Sequence, residues 1–157
     1  MFKKVQKKRV LFVDAQNNYV SQLAEYFALQ LFESKYDVFS AGPEHDIIDC
    51  DMISAMYQAG EDMRRQISKD FANEDHLPKD GRYDFVIYLE KPVFDEYAGK
   101  SPWKGRQILA PMKLRSEFTA TDDAELYQEY GGVIADVKAW VQENMKDAEH
   151  LESLITA

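Results

Sequence analysis

The 157-residue chain contains one cysteine, Cys50. A single thiol forms no internal disulfide, zinc knuckle or resolving pair, so a thiol relay within the chain is excluded. Proline and glycine are sparse, at 5 and 7 residues, and no repeat or low-complexity segment interrupts the chain. No apolar run approaches the roughly 20 residues of a membrane span. Positive charge is also short: 19 Lys and Arg stand against 28 Asp and Glu, a net charge of −9. That balance argues against a general nucleic-acid binder, because phosphate backbones are held by clustered cations. What is present, 45% apolar and 30% charged residues, is the composition of an ordinary soluble globular protein. Against roughly 100–200 residues per domain, one domain is expected, large enough to fold without a disulfide or metal staple.

The scarce cations are concentrated. Residues 1–9 carry five and no anion, which leaves −14 on the remainder. The apolar run behind them, Val10–Val13, is only four residues, against the about 7–15 of a signal-peptide core. Residues 1–8 therefore read as a solvated basic arm. A cytoplasmic location without membrane association is expected.

Val10-Leu-Phe-Val13 is rich in β formers and ends at Asp14, as a buried strand of a parallel sheet does. Val20, Leu23, Ala24, Phe27, Ala28 and Leu31 then recur at helical spacing, which predicts an amphipathic helix over 20–34. A second strand is expected at Tyr36–Ser40. The following helix, with Ile48, Met52, Ala55, Met56 and Ala59 on one face, stops at Gly60. Residues 61–82 are polar and irregular. Strands are expected again at Tyr83–Leu89 and Gln107–Ala110, with a loop rich in Gly, Pro and aromatics between them at 91–105. A long helix follows over roughly 122–147, burying Leu126, Tyr130, Val133, Ile134, Val137, Trp140 and Val141. Residues 148–157 read as a tail or helix extension. The alternation predicts one three-layer α/β domain over 9–147, a four-stranded parallel sheet with helices on both faces. Ligands of such sheets sit at the carboxyl ends of the strands, near the switch in strand order. The loop Asp14–Ser21 falls there.

The residues of that loop are recognisable. Val10-Leu-Phe-Val-Asp-Ala-Gln-Asn-Asn-Tyr-Val-Ser-Gln-Leu-Ala-Glu25 resembles the opening of the low-molecular-weight protein tyrosine phosphatases and the related thioredoxin-coupled arsenate reductases. Asn17, Ser21, Gln22, Ala24 and Glu25 fall in register, as do Ser40-Ala-Gly42, Ala55-Met56, Gly60, Asp62, Ser68-Lys69 and Tyr83-Asp84. The resemblance runs from about residue 9 to 147. It implies the family's fold and an anion-binding loop formed by Asp14, Ala15, Gln16, Asn17, Asn18, Tyr19, Val20 and Ser21.

The departures fall on the chemistry. Where the resemblance implies the nucleophilic cysteine stands Asp14, and where it implies the phosphate-binding arginine stands Val20. Valine offers no bidentate fork to a phosphoryl group, and without the thiolate the covalent phosphoenzyme is lost. Gln16 replaces a loop glycine. The general acid, an Asp-Pro in the family, is matched only loosely by Glu117-Phe118. Leu89-Glu90 stands where the reductases' second cysteine would be. The expectation is a catalytically degenerate relative without cysteine-based phosphatase or arsenate reductase activity, a binding or regulatory module for a protein partner or small anion. No catalytic residue, metal or cofactor is expected. Asp14 at the N-terminus of the first helix could itself occupy the cradle as a built-in substitute for phosphate.

Two enzyme alternatives remain. Asp14 could act as a carboxylate nucleophile in residual phosphoryl transfer. Leu11–Tyr19 also looks like the first motif of NYN-type Mg²⁺-dependent ribonucleases, although only Glu90 could join Asp14 at the carboxyl edge. Glu44–Asp51 gathers His45, Asp46, Asp49, Cys50 and Asp51 without a metal-site spacing, and acidic residues at a helix start are explained by the helix dipole. Tyr97 and Trp103, in the loop expected to face Asp14, are candidates for a recognition patch.

Overall fold

The computed structural model describes residues 6–157, so residues 1–5 of the basic arm lie outside it. Four strands, β1 (Lys8–Val13), β2 (Tyr36–Ala41), β3 (Phe85–Tyr88) and β4 (Gln107–Leu109), form one parallel sheet in the order β2-β1-β3-β4. The central strand β1 is buried on both sides, and consecutive residues feed different cores. Val10 and Phe12 enter one apolar cluster, whereas Leu11 and Val13 enter another. This is the period-2 consequence of the continuous run Val10–Val13.

On the larger core lie α1 (Val20–Phe32), α2 (Cys50–Gln58), α4 (Asp123–Asn144) and α5 (Ala148–Ser153). α1 presents Leu23, Ala24, Phe27 and Ala28 to the sheet, and α4 packs Tyr130, Val133, Val137 and Val141 against it. α2 begins one residue after Asp49, whose carboxylate accepts from the amides of Asp51 and Met52, and it runs out before Gly60, at φ 85°. The acidic stretch 44–51 thus supplies a helix cap, the preferred use of Asp at that position. Ile48 is buried just ahead of the helix rather than within it.

The segment expected to be a loop over 91–105 contains a helix, α3 (Lys91–Tyr97), followed by a single 3₁₀ turn. Pro92 sits in the first turn, where its missing N–H costs nothing. α3 covers the second core through Val93, Phe94 and Tyr97. Helices therefore lie on both faces of the sheet, as expected. The remaining elements agree with expectation within a few residues.

The last residues are part of the sheet region. Leu151 is buried, and beyond α5 the amide of Thr156 donates to Gln107 O at 2.8 Å while Gln107 N donates to Ala157 O at 3.0 Å. These bonds lie along the outer strand β4.

Candidate functional site: the loop after the first strand

Strand order reverses between β1 and β3, so the crevice at their carboxyl ends is where a ligand would be sought. Asp14 leaves β1 there and Glu90 leaves β3. The loop between Asp14 and α1 is held from outside by its carbonyls. Ala15 O accepts from Glu44 N, Gln16 O from Asp46 N, and Asn18 O from Asp49 N. A peptide whose carbonyl points outward turns the next amide inward, so these bonds aim amides at the loop centre. Asn17, at φ 47°, makes the required turn. Its side chain fixes the turn: Nδ2 donates to Ser21 Oγ at 2.9 Å, and Oδ1 accepts from Lys69 N at 2.8 Å and Gln22 Nε2 at 2.9 Å. Gly42, at the end of β2, passes so close that a Cβ there would collide with Asp14 O and lie 3.0 Å from both Ala15 O and Asn17 N.

One of these amides, Tyr19 N, has an acceptor from the chain itself, as has Ser21 N in the first turn of α1. Asp14 Oδ2 accepts from Ser21 N at 2.8 Å and Tyr19 N at 3.2 Å. The Asp14 side chain is buried, and its second oxygen, Oδ1, has no partner among the described residues. Burial pushes the Asp14 carboxyl above its ordinary range, while the Ser21 amide and hydroxyl and the amides of Tyr19 and Asn18 draw it back. Glu90 acts on the other side of the loop. Its Oε1 accepts from Ala15 N at 2.8 Å. Burial and the Asp14 charge push the Glu90 carboxyl up to about 7. Two carboxyl groups of this chain therefore engage the amides of residues 15, 19 and 21.

Of the other positions implied by the resemblance, Val20 is fully buried in the larger core and contributes no polar group to the loop. Glu117 is exposed, and its Oε1 accepts from Leu114 N at 2.9 Å, a bond to its own turn. Next to that turn, Tyr19 donates its hydroxyl to Lys113 O at 2.8 Å and packs edge-on against Phe118. Arg115 Nε donates to Tyr130 Oη at 2.8 Å, and Tyr130 donates to Asp49 Oδ2 at 2.5 Å. This aromatic and charged cover over Tyr19 was not legible in the sequence. Neither was the buried pair beneath the loop, Lys69 Nζ and Glu25 Oε1 at 3.8 Å. Burial lowers the Lys69 amine and raises the Glu25 carboxyl, and each partner's charge opposes the shift of the other.

Tyr97 and Trp103 are not brought to this loop, contrary to the expectation that their segment faces Asp14. α3 starts at the carboxyl edge of the sheet and carries the chain back toward the amino edge. Trp103 consequently donates its indole N–H to Gly81 O at 2.8 Å and packs edge-on against Phe71 and Tyr83. Tyr97 is half-buried against the second core. Within 44–51, His45 Nδ1 meets Asp70 Oδ2 at 2.6 Å and Asp49 caps α2. Among the described residues no three His, Cys, Asp or Glu side chains are grouped as a metal site requires, so the carboxylate set of the ribonuclease alternative is not assembled.

No family model and no curated protein matches the chain. Solved structures do. A protein tyrosine phosphatase from Entamoeba histolytica, described as a product-state mimic, superposes with a TM-score of 0.69 at 18% identity, over 91% of this chain and 96% of that one. A tyrosine phosphatase from Escherichia coli K30 in complex with sulphate gives 0.65 at 16% identity, over 88% and 99%. An arsenate reductase in its oxidized state gives 0.64 at 26% identity, over 87% and 95%. The fold is thus the one shared by the low-molecular-weight tyrosine phosphatases and the arsenate reductases, one α/β domain around a four-stranded parallel sheet.

Proposed function

We propose that this chain is a catalytically silent protein on the phosphatase fold, a binding or regulatory module whose anion loop is occupied by its own carboxylates. The observation that carries the reading is the Asp14 carboxylate seated on the amides of Tyr19 and Ser21. A helix N-terminus with converging amides is an anion site, and a fixed internal carboxylate competes with any external anion for the same donors. In a neighbour of this fold sulphate is bound. Here an incoming phosphate would meet the Asp14 carboxyl where the resemblance places a thiolate, and Glu90 beside it. Val20 supplies no fork, and Glu117 is engaged with its own backbone.

Phosphoryl transfer through Asp14 is disfavoured on the same geometry. One carboxylate oxygen is tied to two amides, and the other is buried. The test is p-nitrophenyl phosphate turnover alongside melting temperatures with and without inorganic phosphate. The wild type is expected to show no turnover and no phosphate-dependent shift, and Asp14→Ala is expected to gain a shift. Turnover by the wild type that Asp14→Ala abolishes would sink the proposal.

A further inference from the structure

Two features that stand far apart in sequence, the basic start of the chain and Trp103, meet at the opposite end of the sheet. Gln6 and Lys7 lead into β1, the turn before β3 carries Arg82, and the α3–β4 connection returns Trp103 and Arg106 to the same place. Together they line a cavity of about 680 Å³. Its cations are Lys7, Lys8, Arg9, Arg82 and Arg106, and its anions are Asp80 and Asp84.

Both anions are engaged in holding the cavity's shape. Asp84 Oδ2 accepts from Arg9 N at 2.8 Å, and Arg106 Nη1 stands 3.8 Å from its other oxygen. Asp80 Oδ1 accepts from Arg9 Nη1 at 2.7 Å and from Arg82 N at 3.0 Å. Lys8 and Arg82 form no ion pair among the described residues. The wall is rigid as well. The Trp103 indole is held by Gly81 O and by edge-on packing against Phe71 and Tyr83, so little freedom remains to be lost on binding.

We infer that this groove at the amino edge of the sheet docks an acidic peptide segment of a partner protein, its carboxylates meeting Lys8 and Arg82 and its side chains lying against Trp103. The choice of a peptide rests on charge and size. Past residue 9 the chain sums to −14 even with Arg82 and Arg106 counted, so a long polyanion entering the groove would run into a repelling body. A short acidic segment feels mainly the local cations, because charges beyond about 8–10 Å are screened at physiological salt. The volume falls within the roughly 300–1,000 Å³ of small-ligand sites, enough for a few residues. An anchored Trp beside Arg is also a recurrent hot-spot pairing at protein interfaces. The inference is independent of the Asp14 loop, which lies at the other end of the strands.

The test titrates full-length protein with an octaglutamate peptide and follows the two indole N–H resonances by NMR. Trp103 is expected to shift while Trp140, on α4, does not. The double variant Lys8→Glu/Arg82→Glu is expected to weaken binding by about tenfold or more, and raised salt should act in the same direction. Lys8→Gln/Arg82→Gln, which only neutralises two exposed heads, should fall between and guards against a folding defect in the reversal. No shift at millimolar peptide, or equal affinity in both variants, would overturn the inference. So would tighter binding of an oligothymidylate of the same charge, or concentration-dependent dimers lost on charge reversal, which would assign the groove to a nucleic acid or to a second copy.

Discussion

The two ends of the sheet hold similar numbers of carboxylates and use them in opposite ways. At the carboxyl edge, Asp14 and Glu90 are turned onto the amides of Ala15, Tyr19 and Ser21, so part of the loop's donor set is already engaged. At the amino edge, Asp80 and Asp84 are turned onto backbone and arginine groups, and Lys8 and Arg82 form no ion pair among the described residues. A net charge of −9 foretells neither end. Where a chain accepts an anion is decided by which donors its own acceptors leave free. On the reading proposed above, the edge where the resemblance implies an anion loop is the less available one.

The strongest way to break this comparison is Asp14→Ala. It strands two buried amides and is expected to cost about 2–3 kcal/mol in urea unfolding. Asp14→Asn, which keeps an acceptor oxygen, should lose less than half of that. A loss under about 0.5 kcal/mol for Asp14→Ala would mean that the carboxylate does not hold the loop. Gly42→Ala is next, expected to cost about 1–3 kcal/mol because the new methyl meets the Asp14 carbonyl, which is main chain and has little room to yield.

A smaller effect sharpens the contrast through pH. The Glu90 carboxyl sits near 7 in the folded state against an ordinary 4.5, and Asp14 is shifted in the same direction. Between those two values the folded protein holds more protons than the unfolded chain. Their contribution to stability is therefore complete below the unfolded value and is lost as pH rises through about 7. Calorimetry is expected to show melting temperature rising by a few degrees from pH 7.5 to 5.5, with Glu90→Gln flattening the rise. A parallel slope in the variant would remove Glu90 from the account. The smallest effect belongs to the amino edge. Arg82→Glu should change stability by no more than about 0.5 kcal/mol, since its exposed head forms no ion pair among the described residues. A cost comparable to that of Asp14→Ala would erase the distinction between the two ends.

Much of this was legible in residues 10–25. The four-residue apolar run fixed a doubly buried strand, the spacing from Val20 gave α1, and an aspartate at the mouth of a helix suggested a carboxylate on its amides. What was not legible has identifiable physical causes. The Gly, Pro and aromatic content of 91–105 suggested a loop, yet Pro92 in a first turn favours a helix, and α3 moved Trp103 to the other edge. The Tyr19–Phe118–Tyr130–Arg115 cover joins residues about a hundred positions apart, through single hydroxyl and ring contacts that leave no periodicity. The pairing of Thr156 and Ala157 with Gln107 is made by backbone atoms, which every residue type carries.

That last pairing bears on solubility. β4 is three residues long and lies at the rim of the sheet, and an open rim is a template on which foreign strands assemble. Thr156 and Ala157 occupy its donors and acceptors at Gln107, so the chain blunts its own edge with its final residues. Deleting residues 154–157 would leave the Asp14 loop in place, would loosen the backbone on either side of Arg106, and would uncover that template. The deletion is expected to appear first as turbidity on storage, before any change in the spectrum of the folded protein.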